Sequence, residues 1–221
     1  MNSCPCCSSA FANSSWADPK GLPAAAPAPA ARRPLASSST PQSDGASRCK
    51  VLTVGHSTRP LAEFVALLVA HHVTQLVDVR TVPRSRHNPQ FNADTPPDRL
   101  ADANIGYAHA PGLGGFRHTT PESPNTGWRN LSFRGYADYK QGAEFDENLM
   151  SLIVLAQRDR VALMCAEAAP WRCHRSMIAD ALVVRGITTC EIVSAIRFQA
   201  HRLTPFARVS GHEISYPQTE P

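Results

Sequence analysis

The sequence lacks three features that would each assign it to a class of protein. No apolar run approaches the roughly 18 residues that cross a bilayer, and the first 30 residues lack the basic start and continuous apolar stretch of a secretory signal. The formal net charge is only +4, which is too mild to indicate a nucleic-acid binder by itself. We therefore expect a cytoplasmic protein with no membrane partner.

The sequence also lacks the paired cysteine framework of a small secreted scaffold. Its seven cysteines are scattered along the chain, and an odd, scattered set is typical of reduced thiols. Cys4 and Cys7 have a spacing found in zinc sites, but a tetrahedral site needs about two more ligands and none lies nearby. We expect reduced cysteines, and neither a metal nor another cofactor.

Composition divides the chain into two tails and a domain. Residues 1–48 contain 7 Pro, 11 Ala and 10 Ser, and such residue types cannot pattern a buried face. We expect a disordered Ala/Pro/Ser-rich tail there, a single α/β domain over residues 49–210 and a C-terminal tail over residues 211–221. The sequence carries no signal of an oligomeric state.

Short apolar runs alternate with helical patterns from residue 50 onward, which is typical of βαβ units and a parallel sheet. The stretch 116–134 is interpreted as a loop insertion. The elements together predict a three-layer, Rossmann-like α/β fold, in which a mostly parallel sheet of four to six strands has helices on both faces. Strands are predicted over 51–54, 76–79, 107–110, 161–165 and 188–193, and helices over 61–68, 97–104, 136–157 and 173–184.

A cluster of reactive residue types follows the predicted strand 161–165. Cys165 ends the strand, Glu167 follows it, and Cys173, His174 and Arg175 open a helix. Ligands of such sheets bind beyond the carboxyl ends of the strands, and a helix N-terminus lowers a thiol pKa and holds anions. A thiolate or a bound phosphate is thus favoured at this point.

Each member of this cluster also has an alternative interpretation. Free cysteines are most often small buried hydrophobic residues, and we favour this interpretation for Cys165. Glu167, His174 and Arg175 would cost free energy at the edge of the sheet unless they are paired or bind a ligand, so a functional role is favoured for them. A zinc ion held by Cys165, Cys173 and His174 is a rival. Adjacent residues rarely point at one ion from a helix start, so we rank zinc lower.

The loop after the second predicted strand is dense in planar donors. Arg80, Arg84, Ser85 and Arg86 could hold a phosphate there, or they could form a solvated charged surface. These arginines and the cluster near Glu167 follow different strands, yet both lie at the carboxyl edge of the sheet. We therefore predict one site assembled from distant segments.

Further polar residues at this edge have two interpretations each. Asp78 interrupts an apolar strand and could tie down neighbouring N–H groups or Arg80, or could act in catalysis or ribose binding. His56 and Ser57 follow the first strand, where they could contact a ligand or cap a helix. The aromatic stretch 128–139 could stack on a base or pack over the long helix, and packing is the commoner outcome.

The order of these motifs resembles that of the domain of unknown function 488 family. The resemblance spans about residues 51–197 and implies a small α/β domain of Rossmann-like wrapping with no settled activity. It rests on His56, Asp78, Arg80, Ser85, Arg86, Gly114, Gly115, the stretch 128–139, Cys165, Glu167, Cys173, His174 and Arg175.

The leading functional hypothesis is an enzyme, a hydrolase or transferase acting on a phosphate-bearing substrate such as a nucleotide or a nucleic-acid component. Glu167 would be base or nucleophile, Cys173 a helix-activated thiolate or an anchor, His174 a proton carrier and Arg175 a stabiliser of developing charge. The expected substrate-binding residues are His56, Ser57, Asp78, Arg80, Arg84, Ser85, Arg86, Gly114, Gly115 and Cys165. The alternatives are a non-catalytic nucleotide or nucleic-acid binding module, and a thiol redox or metal protein.

Overall fold

A six-stranded sheet organises the computed structural model, which describes residues 49–218. The strand order is β3-β2-β4-β1-β5-β6; the first five strands are parallel and β6 is antiparallel to β5. The expected disordered tail, residues 1–48, lies outside the described residues. The strands are β1 Val51–Gly55, β2 Gln75–Asp78, β3 Gly106–His109, β4 Val161–Cys165, β5 Thr189–Ser194 and β6 Arg197–Ala200.

The sheet is buried on both faces, as continuous apolar strands require. Leu52 and Met164 pack on one face with Phe64 of the first helix, while Val51 and Leu163, which point the other way in the same strands, are also fully buried. Each such side chain contributes about 1.5–3 kcal/mol of transfer free energy. The predicted α/β class with a mostly parallel sheet is confirmed.

Helices connect and flank the strands. Within residues 49–218, no helix has both the length and the apolar character to cross a bilayer. The helices are α1 Leu61–Ala70, α2 Pro96–Ala101, α3 Leu131–Tyr139, α4 Ala143–Arg158 and α5 Arg175–Val184.

The long helix predicted over 136–157 is two helices, and the end of the predicted loop insertion is helical. Asn130 starts α3, because its side chain accepts hydrogen bonds from the backbone N–H groups of Ser132 and Phe133. Gly142 has an extended backbone (φ −96°, ψ 157°) and starts α4. The sequence prediction missed the asparagine cap and so began the helix too late, and it missed the break at Gly142 and so merged two helices.

The last described segment folds onto α5. Strands β7 (Arg208–Ser210) and β8 (Glu213–Ser215) form a hairpin, and Tyr216 is fully buried. The carboxylate of Asp180 in α5 accepts hydrogen bonds from His201, Thr204 and Tyr216. The fold thus extends into the stretch 211–221, which composition suggested as a tail. The prediction missed this segment because three-residue strands carry little apolar pattern.

Two of the cysteines form a disulfide. Cys49 and Cys190 lie 141 residues apart in sequence, and their Cα atoms are separated by 5.8 Å. Because β1 and β5 are neighbours, Cys49, two residues before β1, comes close to Cys190 in β5. The expectation of reduced thiols is therefore wrong for this pair, whereas Cys165 and Cys173 are free thiols.

Candidate functional site

A cavity of about 400 Å³ opens at the carboxyl ends of β2 and β4. These strands are neighbours in the sheet, so the loops that follow them meet there. The structure thereby brings together arginines near position 84, the carboxylate at 167 and the start of α5. The lining residues are Arg80, Thr81, Val82, Arg84, Ser85, Gly115, Phe116, Ser132, Phe133, Cys165, Ala166, Glu167, Arg172, Cys173 and His174.

Two thiols and an imidazole form the innermost part of this cavity. The Nδ1 atom of His174 lies 4.0 Å from Cys165 Sγ and 3.8 Å from Cys173 Sγ. On the other side of the ring, Nε2 lies 2.9 Å from the carbonyl oxygen of Val79. A carbonyl only accepts, so Nε2 carries the proton and the lone pair of Nδ1 faces both sulfurs. We call Cys165, Cys173 and His174 the cysteine–histidine cluster.

The backbone explains how adjacent residues converge. Cys173 follows a 3-10 turn at Pro170–Arg172 and has an extended backbone (φ −138°, ψ 140°), whereas His174 is already near helical geometry (φ −57°, ψ −21°) and α5 starts at Arg175. The helix was expected from about residue 173. Because Cys173 precedes the helix, its side chain can share a direction with that of His174.

The two thiols have opposite pKa shifts. A hydrogen bond from the Cys173 thiol lowers the pKa of Cys165, against the opposing effect of burial. The same hydrogen bond, together with burial, raises the pKa of Cys173 well above its usual value. Of the two thiols, Cys165 is therefore the one that ionises more easily, whereas the sequence favoured Cys173.

Three charged side chains surround the opening of the cavity. Arg84, Glu167 and Arg172 are exposed and line the cavity. Within residues 49–218, none of the three forms an ion pair or a side-chain hydrogen bond. Their charged groups are thus available to a ligand. Arg172 was not among the expected site residues; its position directly before Cys173 was the available signal.

Arg175 has a supporting role rather than the expected contact with the cavity. Its side chain is fully buried, and its guanidinium donates to the backbone carbonyls of Glu167 and Ala168 and to the carboxylate of Glu191. It does not line the cavity. Gly55 adds to the same support, since a methyl group there would collide with the Glu167 carbonyl. Arg175 therefore positions the segment that carries Glu167.

His56, Asp78 and Arg80 form an internal network instead of the expected ligand site. Arg80 Nε lies 2.8 Å from Asp78 Oδ1, a further guanidinium nitrogen donates to the Phe91 carbonyl, and Arg80 Nη1 lies 3.3 Å from His56 Nε2. Tyr107 donates to Asp78 as well. Burial lowers the pKa of His56. Although Arg80 touches the cavity, Asp78, Phe91 and His56 occupy four of its five N–H donors; we call His56, Asp78 and Arg80 the arginine network.

The remaining expected residues are divided by their position. Ser85 and Gly115 line the cavity, whereas Ser57, Arg86 and Gly114 do not. Gly114 packs tightly on the loop after β2, because a methyl group there would lie 2.4 Å from Thr81 Oγ1.

The aromatic stretch 128–139 mostly packs. Trp128 contacts Phe133, Phe206 and Tyr216 at centroid distances of 5.0–5.6 Å. Tyr136 and Tyr139 contact Phe145 of α4 at 6.2 and 6.1 Å, which is the packing over the long helix that the sequence predicted. Phe133 also reaches the cavity, together with Phe116, a residue that the sequence interpretation missed within its loop insertion. Aromatic surface is thus present at the opening.

A second cavity of about 710 Å³ shares no lining residue with the first. It lies between the segment 168–171, β5, β6 and the C-terminal segment. Its walls include Trp128, Trp171, Glu191, His201 and Phe206. None of the expected site residues lines it.

Comparisons with known proteins give one result. The family model described as Domain of unknown function DUF488 matches residues 60–182, which is more than half of the 221 residues. Neither the comparison with curated proteins nor that with solved structures gave a match. The matched range contains the arginine network except His56, and all of the cysteine–histidine cluster. The chain belongs to the DUF488 family.

Proposed function

We propose that this protein is an enzyme, a hydrolase or transferase, that acts on a phosphate-bearing substrate in the cavity beside β2 and β4. The observation that carries the proposal is the pairing of two arginines, Arg84 and Arg172, with Glu167 at one opening. Planar guanidinium groups bind phosphate in a bidentate manner. The N-terminus of α5 adds a favourable dipole beside them.

Glu167 is the acid–base residue of the proposed reaction. Its carboxylate lines the same cavity as the arginines, on a segment that Arg175 holds in place. A phosphate ester bound between Arg84 and Arg172 would bring its reacting phosphorus close to this carboxylate. Glu167 would then take the proton of the attacking water or hydroxyl group as the new O–P bond forms, and would return it to the leaving oxygen as the ester O–P bond breaks, so that hydrolysis releases an alcohol and phosphate.

The substrate class includes nucleotides. Phe116 is 79% exposed and, with Phe133, offers aromatic surface on which a base can stack. We further propose a cytoplasmic location, where nucleotides are abundant; fractionation of cells that express the untagged chain tests this.

The same two phenylalanines favour a second candidate, a non-catalytic module that binds a nucleotide or a single-stranded nucleic acid. Both candidates use the arginines for the phosphate and the aromatic rings for the base. Only the enzyme requires Glu167 to exchange a proton, so turnover separates them.

The test measures binding and turnover with the full chain. A panel of nucleoside mono-, di- and triphosphates, p-nitrophenyl phosphate and short oligonucleotides is assayed by calorimetry and by product release. Arg84→Lys should weaken binding by about 1–3 kcal/mol through loss of the planar donor pair, and Glu167→Gln should abolish turnover while binding persists.

Arg86→Lys is the matched control, since Arg86 lies on the same loop but outside the cavity. Binding without turnover by the unaltered chain would establish the module instead. Equal affinities for Arg84→Lys and the unaltered chain would contradict both candidates.

A further inference from the structure

We propose that the cysteine–histidine cluster binds one zinc ion, with three protein ligands and one coordination position open to the cavity. The site goes beyond the proposed function, because it would hold a metal whichever substrate is used. It also departs from the expectation of no metal that the sequence suggested. That expectation depended on adjacent residues being unable to point at one ion, and the extended backbone of Cys173 removes the obstacle.

The three donor atoms are already near the spacing that zinc requires. The two sulfurs and Nδ1 all lie within 4.8 Å of one another, and the two sulfur–nitrogen distances are 4.0 and 3.8 Å. A tetrahedral ion with Zn–S and Zn–N bonds of about 2.3 and 2.05 Å separates S and N by about 3.6 Å. Each sulfur–nitrogen pair therefore needs to close in by only a few tenths of an ångström.

The histidine is held in the tautomer that a metal needs. Its Nε2–H donates to the carbonyl of Val79, so the unprotonated Nδ1 faces the sulfurs. Metal-bound histidines in proteins almost always donate their other ring N–H to a carboxylate, a backbone carbonyl or water. The ring is further fixed by Tyr136, whose centroid lies 5.0 Å away in an edge-to-face arrangement.

A glycine keeps the space beside this nitrogen open. A methyl group on Gly115 would lie 2.6 Å from Nδ1 of His174, closer than the two atoms can approach. The backbone there does not require glycine, because its φ lies outside the left-handed range that is noted for Gly186 and Gly211. Space beside Nδ1, rather than conformation, therefore accounts for glycine at this position.

The ligand set selects the metal. Two thiolates and one imidazole suit zinc, and carboxylate-preferring ions such as Mg²⁺ bind such a set poorly. Three protein ligands are typical of catalytic zinc sites, where water fills the fourth position, whereas structural sites use four. The cluster opens on the cavity that Glu167 also lines, so a bound water would lie beside a carboxylate able to accept its proton.

The experiment measures zinc in the full chain, expressed without a polyhistidine tag and purified without chelators. Plasma mass spectrometry should find about one zinc per chain, in line with the one such cluster within residues 49–218. After removal of zinc, titration with Co²⁺ should give the intense ultraviolet charge-transfer band of thiolate–cobalt bonds and the visible bands of a tetrahedral ion. These spectra report ligand type and do not depend on activity.

Two sets of variants locate the ion. Cys165→Ser and His174→Gln should each weaken zinc binding by more than about tenfold, the loss seen even for outer-shell partners, and Gly115→Ala should weaken it by displacing the His174 ring. The matched control replaces Cys4, Cys6 and Cys7 with serine, which removes every other cysteine of the sequence apart from the Cys49–Cys190 pair. This triple variant should keep one zinc with an unchanged Co²⁺ spectrum.

Several results would overturn the site. Zinc that disappears from the triple variant belongs to residues 4–7, and zinc retained with equal affinity by both Cys165→Ser and His174→Gln lies elsewhere. Absence of zinc, with Cys165 and Cys173 recovered as a disulfide under reducing purification, would make the pair a redox centre. If Cys165→Ser fails to fold, as near-ultraviolet circular dichroism would show, the Co²⁺ spectrum of the unaltered chain still decides.

Discussion

The arginine network and the cysteine–histidine cluster occupy neighbouring positions on one sheet edge but use their polar atoms in opposite ways. In the network, Asp78, Phe91 and His56 occupy four of the five N–H donors of Arg80. In the cluster, the sulfurs of Cys165 and Cys173 face a lone pair and a cavity. The comparison teaches that residue type and strand position do not distinguish a structural residue from a ligand-binding one. The distinction lies in whether the polar atoms already have hydrogen-bond partners within the protein.

The largest effect should come from opening the network. Asp78→Ala removes the carboxylate that neutralises Arg80, which is only 7% exposed, and leaves an uncompensated buried charge. We expect a loss of about 3–5 kcal/mol in the free energy of unfolding, measured by urea denaturation.

Glu167→Gln is the matched control for that measurement, because Glu167 is an exposed carboxylate at the same edge. It should change the free energy of unfolding by less than about 0.5 kcal/mol. If the free energy of unfolding of Asp78→Ala lies within about 1 kcal/mol of that of the unaltered chain, the network does not stabilise the fold. Arg80 would then again be a candidate ligand-binding residue.

How far the sequence predicts the fold depends on whether a pattern is local. Strand β4 was predicted with its observed bounds because Val161–Cys165 is continuously apolar, as a strand covered on both faces requires. The Cys49–Cys190 disulfide was not, since its partners are 141 residues apart and meet only through strand order. Strands β7 and β8 were missed because three residues are too few to show a period.

The candidate site was predictable in its place but not in its membership. Parallel strands predict convergence of the loops after β2 and β4, and Arg84, Glu167 and His174 do line one cavity. The direction of each side chain was not predictable, because it depends on distant partners. Arg175 turns to carbonyls and to Glu191 on β5, a contact that no local spacing encodes.

The buried amine of Lys140 adds a third case to the comparison, because it is hydrogen-bonded and yet loses its proton easily. Lys140 donates to Tyr216, and burial lowers its pKa to about 7, below the unfolded value of about 10.4. Between these values the unfolded chain binds the extra proton, so stability should rise with pH from about 7 to 10, by at most about 1.4 kcal/mol per unit.

The measurement is urea denaturation of the unaltered chain and of Lys140→Met at several pH values in that window. Methionine has similar length and no charge, so the variant should lose the rise in stability. An identical rise in both proteins would assign it to other groups, and Lys140 would then be charged when buried.

A smaller effect should appear at the opening of the cavity, where we expect two arginines to bind the same anion. If Arg84 and Arg172 hold one anion, their losses on substitution by alanine should not add. A double-mutant cycle with inorganic phosphate should give a coupling energy of about 0.5–3 kcal/mol. Additive losses would place the two arginines on separate anions and would weaken the proposed pocket.

The smallest effect is expected at Arg86, which the sequence grouped with Arg84 and the structure separates from it. Arg86 is exposed and does not line the cavity. Arg86→Ala should therefore change phosphate affinity and the free energy of unfolding by less than about 0.5 kcal/mol, by calorimetry and urea denaturation respectively. A loss of affinity as large as that of Arg84→Ala would show that the loop after β2 moves onto the ligand, because only a rearranged loop could bring both guanidinium groups to one anion.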